Sequence, residues 1–135
     1  MRRRLVAGAA LAMAGRGWAQ GAPGRSAYAE AMKLAFEMKQ RAVAAGDQPY
    51  GAVVVHEGRI IGEGPSRVHS KNDWNAHAER EAIRDAQRRL GRADLTGSVL
   101  VSTSIPCSAC QRAAVEARIA RMIHGESLTD AGAPR

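Results

Sequence analysis

Ser98-Val-Leu-Val-Ser-Thr-Ser-Ile-Pro-Cys-Ser-Ala-Cys110, followed by Ala120-Arg-Met-Ile-His124, decides the fold. Residues 98–104 carry the branched, apolar pattern of a strand. Pro106 suits the position just before a helix or within its first turn, where its missing N–H costs nothing. The helix it opens runs from Cys107 to about Arg118, and residues 120–124 form a second short strand. Strand, helix and strand in that order make a βαβ unit, so the two strands lie parallel with a right-handed crossover.

Upstream of this unit the spacing predicts a helix from near Ala76 to Leu90, stopped by Gly91, with a turn over 94–97. Glu79, Ala82, Ile83, Ala86 and Leu90 share one side of it; Arg80, Arg84, Arg88 and Arg89 fall largely elsewhere, as a solvated face. Gly51-Ala-Val-Val-Val-His56 and Arg59-Ile-Ile-Gly-Glu-Gly64 flank Glu57-Gly58 as a hairpin, which Pro65 ends. A polar loop over 65–75 delivers the chain to His77. A first helix, capped by Ser26 and stopped by Gly46, shows one apolar stripe through Ala31, Leu34, Ala35, Met38, Ala42 and Ala45. Tyr28 and Phe36 read as packing residues. The order α-β-β-α-β-α-β implies an α/β fold, a three-layer α-β-α sandwich around a mixed sheet of four or more strands.

Two segments carry chemistry. His77-Ala-Glu79 opens one helix, and Pro106-Cys-Ser-Ala-Cys110 opens the next. Cys107 and Cys110 admit three readings: a short-loop disulfide, a redox pair or metal ligands. The histidine and the spare carboxylate, at the spacing of a zinc hydrolase, decide for metal. One imidazole and two thiolates are three ligands for Zn²⁺, with a fourth tetrahedral position left for water. The cysteines sit at i and i+3, so one helical turn brings both sulfurs to the same side. Glu79, two residues beyond His77, turns away from the histidine's direction. It is therefore expected to move protons rather than to bind the ion. Backbone N–H groups near Ala78 and Cys107 are placed to stabilise charge that develops on a substrate. His56, His69 and His124 have no cysteine near them in sequence and are assigned no metal. Trp74, one of two tryptophans, either packs under its loop or forms a wall of the substrate pocket.

Composition limits the rest. The chain has 135 residues, 45% of them hydrophobic, which suits one compact domain. It has no apolar run of eighteen residues, so no transmembrane helix is expected. Four of the seven excess positive charges, Arg2, Arg3, Arg4 and Arg16, lie in the first nineteen residues. Aromatic residues make up only 4%, which leaves no stacking surface for single-stranded nucleic acid. Residues 1–20 have a basic start, a short apolar stretch from Leu5 to Ala14 and small residues at Gly17 and Ala19, the pattern of an export signal. The expected organisation is therefore a signal over 1–20, a linker over 21–25, a zinc domain over 26–125 and a tail of little structure over 126–135. The mature protein would be exported, to a periplasm for example, and free of the membrane; with a later start it would be cytoplasmic.

The segments Pro49-Tyr-Gly-Ala-Val-Val-Val55, Gly62-Glu-Gly-Pro-Ser-Arg-Val68, Asp73-Trp-Asn-Ala-His-Ala-Glu79, Pro106-Cys-Ser-Ala-Cys110 and Ala117-Arg-Ile-Ala-Arg-Met122 together resemble the cytidine and deoxycytidylate deaminase superfamily. The likeness is greatest to the branch holding guanine deaminases and tRNA adenosine deaminases, and it covers about residues 26–125. It implies zinc held by His77, Cys107 and Cys110, with Glu79 as proton carrier, and subunits that pair as a homodimer. Substrate contacts are expected from Ala52, Ser66, Trp74 and Ala78. Three departures stand out: Ser66 replaces a pocket asparagine, Ile105 replaces an acidic residue before Pro-Cys, and the family's C-terminal strand and helix are not evident before Arg135. The expected activity is hydrolytic deamination of a free nucleobase or nucleoside, with release of ammonia and with no nucleic-acid partner. The alternatives are deamination of a tRNA wobble adenosine and a zinc-binding protein that has lost catalysis.

Overall fold

A computed structural model describes residues 25–135. The expected export signal and nearly all of the expected linker lie outside the described residues. Eight elements follow in order: α1 (Arg25–Ala44), β1 (Gly51–His56), β2 (Arg59–Pro65), α2 (Ala78–Leu90), β3 (Val99–Ser102), α3 (Ser108–Glu116), β4 (Arg121–His124) and β5 (Thr129–Gly132). Ser26 lies inside α1 and is not its cap, and residue 25 is already helical rather than linker.

The five strands form one mixed sheet in the order β2-β1-β3-β4-β5. β1 is antiparallel to β2 and to β3, whereas β3 and β4 run parallel, as a βαβ unit requires. Side chains alternate across the sheet because successive residues of a strand point to opposite faces. Val53, Val55, Val99, Val101 and Ile123 pack under α1 with Ala31, Ala35 and Met38. Ala52, Val54, Leu100 and Met122 pack on the other face, against Ala78, Ala82 and Ala86 of α2 and Ala114 beside them. Helices thus cover both faces of the sheet.

Glycine lets α2 approach closely. A Cβ on Gly64 would lie 2.4 Å from the Ala78 carbonyl oxygen and 2.4 Å from the Ala82 nitrogen; one on Gly62 would lie 2.3 Å from the Ala82 oxygen. β2 and α2 therefore touch backbone to backbone, which fixes where α2 begins.

The tail expected to lack structure forms a strand. Gly125 and Leu128 take positive φ, the Leu128 N–H donates to the Gly125 carbonyl, and the chain turns back to pair β5 with β4. Asp130 forms an ion pair with Arg121 and accepts from the Gly132 N–H. β5 is polar because it is an edge strand with little to bury, so hydrophobic pattern gave no sign of it. The arginines of α2 also do more than face solvent: Arg84 pairs with Glu81, while Arg88 and Arg89 pair with Asp85.

Candidate active site

His77 and Cys107 are each the N-cap of a helix, one residue before α2 and α3 begin. Both have extended backbones (φ −63°, ψ 154° and φ −72°, ψ 170°), and neither side chain caps its own helix. Their side chains are thus free of the helix and turn toward each other. His77 Nδ1 lies 3.6 Å from Cys107 Sγ and 3.5 Å from Cys110 Sγ. All three donor atoms fall within 4.8 Å of one another, and both cysteines are free thiols, which sets the disulfide reading aside.

This donor set fits the zinc that the resemblance implies. With Zn–S about 2.3 Å and Zn–N about 2.0–2.1 Å, a tetrahedral ion needs an N···S edge of about 3.6 Å. The observed pair of edges matches that value, and an imidazole with two thiolates suits a borderline-soft ion. Burial, the Glu79 carboxylate and Cys107 all push the Cys110 thiol well above the ordinary thiol range. A bound cation must displace that proton, so metal uptake releases acid.

Glu79 stands beside the donors without joining them. It is 5% exposed, and its Oε2 accepts a 2.8 Å hydrogen bond from Ser102 Oγ at the end of β3. The Cys110 thiol lies 3.7 Å from its other oxygen, Oε1. His77 and Glu79 line a cavity of about 710 Å³ together with Ala78, Cys107 and Trp74. Tyr50 and Ile105 line it too; Trp74 and Ile105 are 75% and 71% exposed.

Two buried carboxylates hold the loop that delivers His77. Asp47 accepts from the N–H groups of His69 and Ser70 and from the Ser70 hydroxyl. Glu81 takes bonds from Arg67, Lys71 and Arg84. Burial alone would raise the Glu81 carboxyl, but the bonds from Lys71 and Arg67, the charge of Lys71 and the bond from Arg84 outweigh it and hold the group below its ordinary value.

Of the eight residues singled out from sequence, His77, Ala78, Glu79, Cys107 and Trp74 line this cavity, and Cys110 lies behind it as a buried donor. Ala52 and Ser66 do not line it. Ala52 is covered by α2 within the core, and Ser66 is 1% exposed, with its Oγ lacking a hydrogen-bond partner. His124, assigned no metal, takes no part in the donor set but does line the cavity, as do Gln48, Thr103 and Ser104. Its signal was topological. β3 and β4 are parallel and pair Ser102 with His124, so their carboxyl ends open on one edge, where ligands of such sheets bind. Ser102 had no sequence signal, because its partner is 23 residues away on another element.

Comparison with known proteins agrees with the donor set. Residues 25–126 match the cytidine and deoxycytidylate deaminase zinc-binding region. The chain is 44% identical over 104 residues to a tRNA(Ile)-lysidine synthase of Deinococcus deserti, covering 76% of this chain and 20% of that protein. It is 38% identical over 99 residues to a tRNA-specific adenosine deaminase of Buchnera aphidicola, covering 73% of this chain and 66% of that protein. The crystal structure of guanine deaminase from Bacillus subtilis superposes with a TM-score of 0.68 at 37% identity, over 71% of this chain and 62% of that one. The chain thus spans less than two thirds of the length of each of these relatives. With the histidine, the two cysteines and the adjoining glutamate in place, the match over 25–126 makes this chain a member of the cytidine and deoxycytidylate deaminase family.

Proposed function

We propose that this protein hydrolytically deaminates a free nucleobase or nucleoside and releases ammonia. The observation that carries the reading is Glu79, held beside a three-donor metal site in the wall of a 710 Å³ cavity. Zinc bound by His77, Cys107 and Cys110 supplies a Lewis acid that lowers the pKa of water to about 7. Glu79 is the only carboxylate lining the cavity among the described residues, so it is the group that takes a proton from water and returns it to the substrate. In balance, a water oxygen bonds to the amine-bearing ring carbon and the C–N bond breaks; one water proton ends on the ring nitrogen, and the other joins the two amine hydrogens in the ammonia that leaves.

The cavity wall supports a neutral substrate. Among the described residues, no lysine or arginine lines it; its ionisable members are Tyr50, His77, Glu79, Cys107 and His124. A phosphate would find no fixed cation there. Trp74, Tyr50 and Ile105 offer apolar and aromatic surface to a planar ring instead.

The identity to tRNA-specific adenosine deaminases favours a second reading, in which the adenine is presented by a tRNA anticodon. One screen separates the two. Zinc content is measured, and ammonia release is followed with guanine, cytosine, cytidine and adenosine, beside inosine formation in tRNA. Release from a free amine that is abolished by Glu79→Ala establishes the first reading. Inosine in tRNA with no free-base activity establishes the second, and no zinc or no turnover on any substrate overturns both. The reading includes a homodimer, which sedimentation velocity tests.

A further inference from the structure

Ser102 ends β3, the middle strand of the sheet, and is fully buried. It is held on both sides, in register with Ala52 of β1 and with His124 of β4. Its hydroxyl oxygen accepts from the Ser104 N–H at 3.4 Å and its proton goes to Glu79 Oε2 at 2.8 Å. The other hydrogen bond to the Glu79 carboxylate comes from the Cys110 thiol, at 3.7 Å to Oε1, and that thiol is one of the metal donors.

We propose that Ser102 is the positioning residue for Glu79. By occupying Oε2 it fixes the carboxylate's plane and leaves Oε1 facing the metal donors, where Cys110 Sγ lies 3.7 Å away. The strand is paired on both sides, so the proton carrier on the helix is referenced to the sheet rather than to its own rotamer. A hydrogen bond to a carboxylate is also stronger and more directional than one between neutral groups. Ser102 touches neither substrate nor metal on this account; it acts through Glu79.

The kinetic part of this inference rests on the deaminase reading above, but the stability part does not. Ser102→Ala is made in the native chain and in a Glu79→Ala chain, and unfolding midpoints are read by circular dichroism. The expected result is a drop of several degrees with Glu79 present and little or no further drop in the Glu79→Ala chain. On whichever amine is turned over, kcat falls about ten- to a hundredfold, as for a reacting group displaced by about 1 Å, while KM stays within about twofold. Ser102→Thr, which keeps the hydroxyl, retains the coupling with Glu79. Equal drops in both backgrounds, or full kcat in Ser102→Ala, overturn the proposal. Absence of ammonia release from any substrate removes the deaminase reading, and the midpoint coupling then decides on Ser102 alone.

Discussion

Replacing Gly64 with alanine places one methyl group between β2 and the first turn of α2. The added carbon would sit 2.4 Å from the Ala78 carbonyl oxygen and 2.4 Å from the Ala82 nitrogen, where ordinary contact begins at 3.4 Å. Both neighbours are backbone, so no side chain can swing aside. The start of α2 must move by about 1 Å or β2 must bow; overpacking of this kind costs about 1–3 kcal/mol. For a domain of this size that lowers the unfolding midpoint by roughly 4–20 °C. The second effect is on the metal. His77 is bonded to Ala78, and its Nδ1 now stands 3.5–3.6 Å from the two sulfurs. Metal sites tolerate errors of about 0.2 Å, so a shift several times larger spoils the third ligand. Zinc affinity, measured by competition with a chromogenic chelator, should fall at least about tenfold, as for lost support around a metal ligand. A Gly64→Ala protein with native midpoint and native zinc affinity would refute the claim that backbone contact between β2 and α2 sets the position of His77.

Four further outcomes follow from the same geometry. Cys110→Ser should leave the protein with well under one zinc per chain after gel filtration, by atomic emission, because a hydroxyl does not replace a thiolate on this ion. Stripping zinc with a chelator should lower the unfolding midpoint, by the equivalent of about 4 kcal/mol where free zinc had stood a thousandfold above its Kd. Glu81, held below its ordinary value of 4.5, stabilises the fold fully above about pH 5 and loses that contribution as pH falls through its folded value. Midpoints of the native chain should therefore decline in acid. Glu81→Gln should flatten that decline and cost about 1–3 kcal/mol at neutral pH by leaving Arg67, Lys71 and Arg84 without their carboxylate. Trp74→Ala should leave the midpoint almost unchanged, since the ring is 75% exposed; KM for the substrate should rise about five- to a hundredfold if the ring stacks on it.

The parts of this fold that were legible in sequence are those encoded by local pattern. Val53, Val54 and Val55 mark a strand buried on both faces, and Pro106 before Cys107 marks a helix start; the parallel pairing of β3 with β4 followed from the helix between them. The metal donors were legible because their chemistry is rare: two cysteines in the chain, three residues apart, with His77 and Glu79 at a telling distance. What escaped depends on register between distant elements. Ser102 reaches Glu79 only because β3 ends level with the first turn of α2, and His124 reaches the cavity only because it is level with Ser102. Ala52 and Ser66 were expected to meet substrate, yet α2 covers the first and the second is enclosed beside the Tyr50 carbonyl. β5 escaped because its residues bury almost nothing.

The site also shows how a loop can hold a metal ligand steady. Loops are mobile when their backbone bonds go to water, and the segment between β2 and α2 looks from its composition like such a loop. Here its polar groups are spent inward. Asp47 ties down His69 and Ser70, Glu81 draws in Arg67 and Lys71, and the Arg67 N–H donates to the Ala76 carbonyl, next to His77. The far end is fixed by the contact of Gly64 with α2. His77 is thus restrained from the loop side by two carboxylates and from the helix side by the sheet, while Glu79 is restrained by Ser102 on that same sheet. His77 and Glu79 share one frame of reference, the carboxyl edge of the sheet beside β3. A change that moves that edge should move both together, whereas a change in the loop should release His77 and leave Glu79 in place.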